Sequence, residues 1–142
     1  MTTAKTVPLA LTLGDVCGIG PEIIAKFFRE SASAGCVVVG DVAVLRRAAT
    51  LTGGLLAVAA VACAADALQA PPNCVPVLQV EGLPADLLDA ALGRVDARAG
   101  RAAAACIARA VELAQAGAIG AIVTAPIHKE ALAAAGVGYP GH

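Results

Sequence analysis

The stretch LALTLGDVCGIGPE, residues 9–22, joins an apolar run to a turn with three glycines and to the start of a helix. The apolar run of Leu9, Ala10, Leu11 and Leu13 is typical of a strand. The segment IIAKFFRE, residues 23–30, places apolar residues at helical spacing. Pro21 fits the first helical turn, where its missing N–H costs nothing. The stretch therefore predicts a strand, a glycine turn and a helix.

The glycine turn admits two interpretations. Free backbone N–H groups at the start of a helix can hold an anion such as a phosphate. However, Gly14, Gly18 and Gly20 do not form the dinucleotide fingerprint G-x-G-x-x-G, and no Lys–Ser/Thr pair completes a P-loop. The alternative is that the glycines only permit a tight turn with positive φ. The residues alone leave both interpretations open.

The rest of the chain alternates between predicted strands and helices. Strands are predicted at residues 36–40, 57–61, 75–80 and 119–124. Helices are predicted from the N-cap Asp41 to about Leu51, at residues 96–116 and at residues 128–136. This alternation favours an α/β fold, with a mostly parallel sheet and flanking helices.

Two of these elements carry more specific expectations. Pro76 lacks a backbone donor, so the strand at residues 75–80 is expected at an edge of the sheet. The long helix at residues 96–116 has an apolar stripe that should face the core. The stripe consists of Ala99, Ala103, Cys106, Ile107, Ala110, Val111 and Ala114.

The composition limits the class of protein. The chain has 142 residues, enough for one domain with a core, and its net charge of −1 offers no basic surface to nucleic acid. No uncharged run is apolar over the roughly 20 residues that a membrane span needs. The chain is 58% hydrophobic but only 2% aromatic. We therefore expect some apolar surface to face a partner or a further part of the chain.

The five cysteines show no C-x-x-C spacing and no disulfide framework, which is typical of reduced thiols in a cytoplasmic protein. Each is expected to be a small buried side chain. Cys17 differs because it lies in the glycine turn before a helix, where a thiolate would be favoured. No histidine lies near it in the sequence to support a catalytic role.

Two loops follow strands and are therefore expected at the ligand-binding edge of a parallel sheet. One is the glycine turn, and the other is TAPIHK, residues 124–129. The second loop brings together the hydroxyl of Thr124, the imidazole of His128 and the ammonium of Lys129. A lone Thr124 or His128 would more often be structural, but three polar groups within six residues make a functional role equally plausible, and their individual roles stay open.

The segment GYPGH, residues 138–142, places His142 directly after a Pro-Gly turn. Such a turn can direct a histidine towards a ligand. At a natural terminus the same histidine would more often belong to a frayed end.

Four blocks together resemble one family. They are LTLGDVCGIGPEIIAK (residues 11–26), GRVDARAGRAA (93–103), AIVTAPIHKEAL (121–132) and GVGYPGH (136–142). Their order and spacing are similar to those of the 4-hydroxythreonine-4-phosphate dehydrogenases of pyridoxal phosphate biosynthesis. The turn departs mildly, because Val16 and Cys17 stand where many members have Pro-Ala.

The resemblance implies a fold like that of isocitrate and isopropylmalate dehydrogenases, which have two α/β domains and a cleft between them. Family members are homodimers of roughly twice this length. Residues 1–142 would then be the N-terminal α/β portion of a longer two-domain dehydrogenase, with the C-terminal part absent. Such a fragment is expected to be inactive alone.

The implied activity is the oxidation of 4-phosphohydroxy-L-threonine at its hydroxyl by NAD or NADP, followed by decarboxylation. A divalent metal (zinc, magnesium or cobalt) would hold the substrate oxygens, with ligands that lie outside this chain. His142 matches the histidine of the family motif Y-P-G-H and is the expected substrate-binding residue.

Two alternatives remain. Relatives of this family oxidise a four-carbon phosphorylated sugar acid or an aromatic cis-dihydrodiol. A different class would be a non-catalytic α/β module that binds an anion at the glycine turn.

Overall fold

The computed structural model describes residues 6–138, which form one five-stranded sheet with helices on both faces. The strands are β1 (Leu9–Thr12), β2 (Cys36–Gly40), β3 (Ala57–Ala60), β4 (Cys74–Gln79) and β5 (Ile122–Thr124). Their order is β3-β4-β2-β1-β5, and every neighbouring pair is parallel. The predicted α/β class with a parallel sheet is confirmed.

The helices within residues 6–138 are α1 (Gly20–Phe27), α2 (Val42–Leu51), α3 (Ala97–Gln115) and α4 (Lys129–Ala134). The connections through α1 and α2 run towards β3, whereas the connection through α3 runs back to β5. Because such crossovers are right-handed, α1 and α2 lie on one face of the sheet and α3 on the other. Three short 3₁₀ turns, Ser31–Ser33, Ala64–Gln69 and Leu87–Asp89, complete the connections.

The core is built from small and branched side chains. All five residues of β2 are buried, because this strand lies in the middle of the sheet and is covered on both faces. On α3 the buried side chains are mostly alanines, which let the helix approach the sheet closely. The predicted strand at residues 36–40 matches β2 at both ends.

The start of α2 is fixed by a small polar network. The Asp41 carboxylate accepts a hydrogen bond of 2.9 Å from Val44 N and caps the helix, as predicted. Gln79, at the end of β4, donates to the same carboxylate at 2.9 Å and accepts from Val42 N at 2.9 Å. The network therefore ties the first turn of α2 to the carboxyl end of β4.

The edge position predicted for the strand around Pro76 is wrong, because β4 lies between β3 and β2. The β2–β4 register begins at Val38 opposite Val77. The missing N–H of Pro76 therefore falls just before that ladder and interrupts no bond in it. The last strand also begins at Ile122 rather than at residue 119, where prediction placed it.

The long helix exists as predicted, with Asp96 as N-cap, but its buried face is rotated from the expected stripe. Leu113 is buried, whereas Val111 and Ala114 are exposed. The actual buried face is Ala99, Gly100, Ala102, Ala103, Cys106, Ala110 and Leu113. Contact with α4 causes part of this rotation, because it buries Gly100 at the crossing.

None of the helices in residues 6–138 is both long enough and apolar enough to span a lipid bilayer.

Candidate functional site

The two loops predicted at the carboxyl edge of the sheet meet there. The backbone N–H of Asp15 donates to the carbonyl oxygen of Pro126 at 2.9 Å, and Ala125 N donates to Thr12 O at 3.2 Å. The glycine turn and the TAPIHK loop therefore form one surface at the ends of β1 and β5. Both loops lie at the carboxyl ends of strands, as predicted.

Close packing explains two of the glycines in the turn. A Cβ on Gly14 would lie 2.6 Å from the carbonyl oxygen of Pro126, and Gly14 has a φ of +71°. A Cβ on Gly20 would lie 2.8 Å from Leu13 O. A side chain on Gly14 would push the two loops apart, and one on Gly20 would push the start of α1 away from the end of β1. The glycines are therefore required by the approach of backbone to backbone, whether or not a ligand binds.

The carboxylate of Asp15 occupies the inside of the turn. Asp15 is only 7% exposed, and its Oδ1 accepts a hydrogen bond of 3.1 Å from Cys17 N. A second bond, from Gly18 N to Asp15 O at 3.0 Å, closes the turn. The chain thus places its own negative charge beside the backbone donors that an external anion would need. This geometry favours the tight-turn interpretation over a phosphate or pyrophosphate cradle.

The thiolate expected at Cys17 is a wrong prediction. Cys17 is 3% exposed. Burial raises the pKa of its thiol, and the nearby carboxylates of Asp15 and Asp96 raise it further. The exposed cysteine is instead Cys63, whereas the other four are buried.

The segment that follows β4 is distant in sequence but packs against the outside of the glycine turn. Gly93 N donates to Cys17 O at 2.7 Å. Arg47 on α2 donates to Val16 O at 3.3 Å and to Leu88 O at 3.2 Å, so one guanidinium joins the turn to the segment that follows β4. Sequence reasoning missed Arg47, because no local pattern distinguishes it from any other arginine on a helix.

The chain between β4 and the first turn of α3 also contains a cluster of ion-paired side chains. Arg98 contacts the carboxylate of Asp96 at 2.8 Å and that of Asp86 at 2.9 Å. The hydrogen bonds that Arg98 donates to Asp96, from its side chain and its backbone, lower the pKa of Asp96 from its ordinary 3.8 to about 2. The Arg98 guanidinium is therefore already committed to two carboxylates and is poorly available to an anionic ligand.

The polar side chains of the TAPIHK loop remain accessible. His128 and Lys129 are exposed, and Thr124 is half-buried. Within the described part of the chain, none of the three side chains makes a hydrogen bond. Thr12, opposite Thr124 in the register, is fully buried, and its hydroxyl has no partner among the described residues. His142, the predicted substrate-binding residue, lies outside the described residues.

The residues that the structure describes contain no cluster of metal-ligating side chains. Across positions 6–138 there is no group of three or more His, Cys, Asp or Glu side chains placed to hold an ion. We therefore assign no metal ligand to this part of the chain.

Comparison with known proteins gives consistent matches. Residues 32–142 match the family model described as "Pyridoxal phosphate biosynthetic protein PdxA". The chain is 45% identical over 137 residues to the 4-hydroxythreonine-4-phosphate dehydrogenase of Beijerinckia indica, covering 95% of this chain and 39% of that protein. It is 42% identical over 144 residues to the D-threonate 4-phosphate dehydrogenase of Salmonella typhimurium, covering 97% and 42%.

The fold has a solved counterpart. The crystal structure of 4-hydroxythreonine-4-phosphate dehydrogenase from Klebsiella pneumoniae superposes with a TM-score of 0.84 at 42% identity, over 96% of this chain and 42% of that one. The chain thus spans about two-fifths of the length of the relatives that it matches.

Proposed function

This chain belongs to the PdxA family of pyridoxal phosphate biosynthetic proteins, and on that basis we propose that it supplies the N-terminal α/β portion of an NAD(P)-dependent dehydrogenase. The observation that carries the proposal is the family match over residues 32–142. That range includes the TAPIHK loop, which lies against the glycine turn at the carboxyl edge of the sheet. Ligands of parallel α/β sheets bind at this edge.

The proposed reaction is oxidation of the hydroxyl of 4-phosphohydroxy-L-threonine to a ketone, which then loses carbon dioxide. NAD or NADP accepts the hydride, and the hydroxyl proton is released. D-threonate 4-phosphate is the second candidate substrate, because relatives that carry this name match the chain at 39–42% identity. Both compounds are hydroxy acids that present a phosphate and a carboxylate.

Within this chain, the TAPIHK loop is the part proposed to meet the substrate. Lys129 and His128 offer donors to an anionic substrate from an exposed position, and Thr124 offers a hydroxyl beside them. We propose that His142 joins them as a further substrate-binding residue. The family motif that it matches and the short sequence distance from the loop support this assignment.

The remaining parts of the proposal concern the whole protein. We propose a cytoplasmic homodimer that uses a divalent metal bound by residues outside this chain. The cysteines lack the spacing of a disulfide framework, which supports a location in the cytoplasm. The 142-residue chain alone should bind no catalytic metal and should be inactive. Equilibrium dialysis against zinc tests this, and stoichiometric binding at micromolar affinity would contradict it.

The decisive experiment replaces the matched segment of the Salmonella typhimurium relative with this chain and measures kcat/KM for both substrates. His142→Ala in that protein should lower kcat/KM at least about tenfold, on the order of 1.4 kcal/mol, with little change in Tm. Glu112→Gln, an exposed position on α3, serves as the control.

Two outcomes contradict the proposal. If kcat/KM of the His142→Ala protein stays within about twofold, the binding role is wrong. If the chimeric protein without the His142→Ala substitution oxidises neither substrate with NAD or NADP in the presence of divalent metal, the proposed reaction is wrong. The non-catalytic anion-binding alternative then gains support only if phosphate protects the turn from hydrogen exchange.

A further inference from the structure

A cleft of about 280 Å³ opens at the amino edge of the sheet. Its lining residues lie within two segments, residues 28–36, which run from the end of α1 into β2, and residues 67–76, which run from the second 3₁₀ turn into β4. The two loops of the candidate site follow the opposite, carboxyl ends of the strands. We call this cavity the amino-edge cleft. Its volume is at the lower end of the range for small-molecule pockets.

The backbone of Cys36 faces β4 at this cleft. Gly35 O accepts a hydrogen bond of 3.0 Å from Leu9 N, so Gly35 faces β1. Successive residues of a parallel strand direct their backbone groups to opposite neighbours, which turns the N–H and the carbonyl of Cys36 towards β4. Gly40, four residues further on, faces β4 as well, because its carbonyl oxygen accepts from Val80 N at 2.9 Å. The carbonyl oxygen of Cys36 should therefore pair with β4.

Pro76 removes the donor that this carbonyl would use. The bonds between β2 and β4 repeat every two residues, so the pairing of Gly40 O with Val80 N assigns Cys36 O to the nitrogen of residue 76. That residue is a proline, which has no N–H. Among residues 6–138, no side chain donates to Cys36 O in its place. A buried acceptor without a donor costs free energy, which a ligand that donates to it would recover.

The unpaired ends of the two strands account for the position of the cleft. Although β2 begins at Cys36 and β4 at Cys74, their register starts only at Val38 opposite Val77. Cys36, Cys74 and Pro76 all line the cleft. The cleft therefore lies where the ladder between β2 and β4 is missing, and it contains a backbone acceptor.

Four of the lining residues carry rings, namely Phe28, Pro71, Pro72 and Pro76. These rings are apolar and offer flat surfaces, which suit the face of a planar molecule. The three prolines also have a fixed φ, so the wall that they form keeps its shape without a ligand. A preformed wall lowers the cost of ordering the site when a ligand binds.

Arg29 is the one cation among the described residues that line the cleft, and it is not free to hold an anion. Its guanidinium donates to Gly54 O at 2.7 Å, to Thr52 Oγ1 at 3.0 Å and to Ala49 O at 3.2 Å. These bonds fix the guanidinium to the C-terminal end of α2. Glu30, the one anion in the lining, is exposed, so its charge is screened by solvent. The charges therefore favour a neutral ligand.

We propose that the amino-edge cleft binds a small, neutral, planar heterocycle whose ring N–H donates a hydrogen bond to the carbonyl oxygen of Cys36. The unpaired carbonyl selects a donor, the rings in the lining select a flat apolar body, and the committed guanidinium of Arg29 gives no advantage to an anion. The cleft and the candidate site lie at opposite edges of the sheet, so this binding does not depend on the proposed reaction. Indole has the required properties, and benzofuran is its matched counterpart with a ring oxygen in place of the N–H.

The test is titration of the ¹⁵N-labelled 142-residue chain with indole, followed through its backbone amide resonances. Indole should shift the amides of residues 31–36 and 73–75 in a saturable manner and leave those of the TAPIHK loop unchanged. Benzofuran should bind at least about tenfold more weakly, because it cannot make the hydrogen bond to Cys36 O.

Two variants of the cleft complete the test. Pro76→Val supplies an N–H opposite Cys36 O, so the ladder can close and the affinity for indole should fall at least about tenfold. Ala70→Phe fills the cleft from a half-buried position, leaves the ladder unchanged and should have the same effect. Pro84→Val, at a proline outside the cleft, is the matched control and should leave the affinity within about twofold. Absence of saturable shifts, equal affinity for benzofuran, or unchanged affinity in either cleft variant would each overturn the proposal. So would shifts confined to the TAPIHK loop.

Discussion

The backbone nitrogen of Asp15 lies 2.9 Å from the carbonyl oxygen of Pro126, and this hydrogen bond joins the two loops of the candidate site. Gly14, next to Asp15, lies so close to the same carbonyl that only a hydrogen fits between them. The glycine turn and the TAPIHK loop are therefore positioned as one unit. A change in either loop should displace both.

The close approach of Gly14 predicts a large loss of stability for Gly14→Ala. The methyl group would lie 2.6 Å from Pro126 O, and the residue would be held at a φ of +71°. Overpacking typically costs about 1–3 kcal/mol beyond the backbone strain. Thermal and urea denaturation measure the total loss.

Gly35→Ala is the matched control for this prediction. Gly35 has a similar φ of +80°, but nothing lies within 4 Å of an added Cβ. It should lose only about 1–2 kcal/mol, the cost of the left-handed conformation. Equal losses for Gly14→Ala and Gly35→Ala would show that the contact with Pro126 adds nothing.

Replacement of Gly100 on α3 by alanine should destabilise the protein, which is the opposite of the usual effect in a helix. In an exposed helix interior, replacement of glycine by alanine stabilises by about 1 kcal/mol. Here the added Cβ would meet the backbone of Ala131 and Leu132 on α4, where the two helices cross. We expect Gly100→Ala to lower Tm and to speed hydrogen exchange in Lys129–Ala134. A higher Tm would contradict the close contact between α3 and α4 at this position.

The local parts of this fold could be read from the sequence. The N-caps Asp41 and Asp96, the valines of β2 and the glycine turn each carry their signal within a few residues. Such signals fix where an element begins and which type it is. They also sufficed to place both candidate loops after strands, and hence at one edge of the sheet.

What the sequence could not supply depends on residues that are far apart. The interior position of β4 follows from pairing with β2 and β3, which no local pattern encodes. Arg47 reaches the glycine turn across 31 positions of sequence. The pKa of the Cys17 thiol is raised by burial and, further, by the carboxylates of Asp15 and the distant Asp96. Each of these outcomes is set by tertiary contact.

The cysteines give a prediction for thiol reactivity. Cys63 is exposed, whereas burial raises the pKa of Cys17, Cys36 and Cys74, and that of Cys106 to about 12. A thiol reagent at pH 8 should therefore modify one cysteine rapidly and all five only after unfolding.

Peptide mapping identifies the thiol that reacts. Cys63→Ser should abolish the fast phase, and Cys36→Ser, the control, should preserve it. Rapid modification of Cys17 in the folded chain would contradict the raised pKa of its thiol.

The Asp96–Arg98 pair predicts how stability changes in acid. The pKa of Asp96 is about 2 in the folded chain and 3.8 ordinarily, so the folded state holds this carboxylate ionised over a wider range. The stabilisation is complete above pH 4 and disappears as the pH falls through 2. Asp96→Asn keeps an N-cap side chain but removes the charge, so the stability of this variant should fall less steeply between pH 4 and pH 2.

Urea denaturation at half-unit pH intervals measures the slope of stability against pH for the parent chain and for Asp96→Asn. Glu130→Gln, at an exposed position on α4, is the control. Equal slopes for the parent and Asp96→Asn would show that the pair contributes nothing to acid stability.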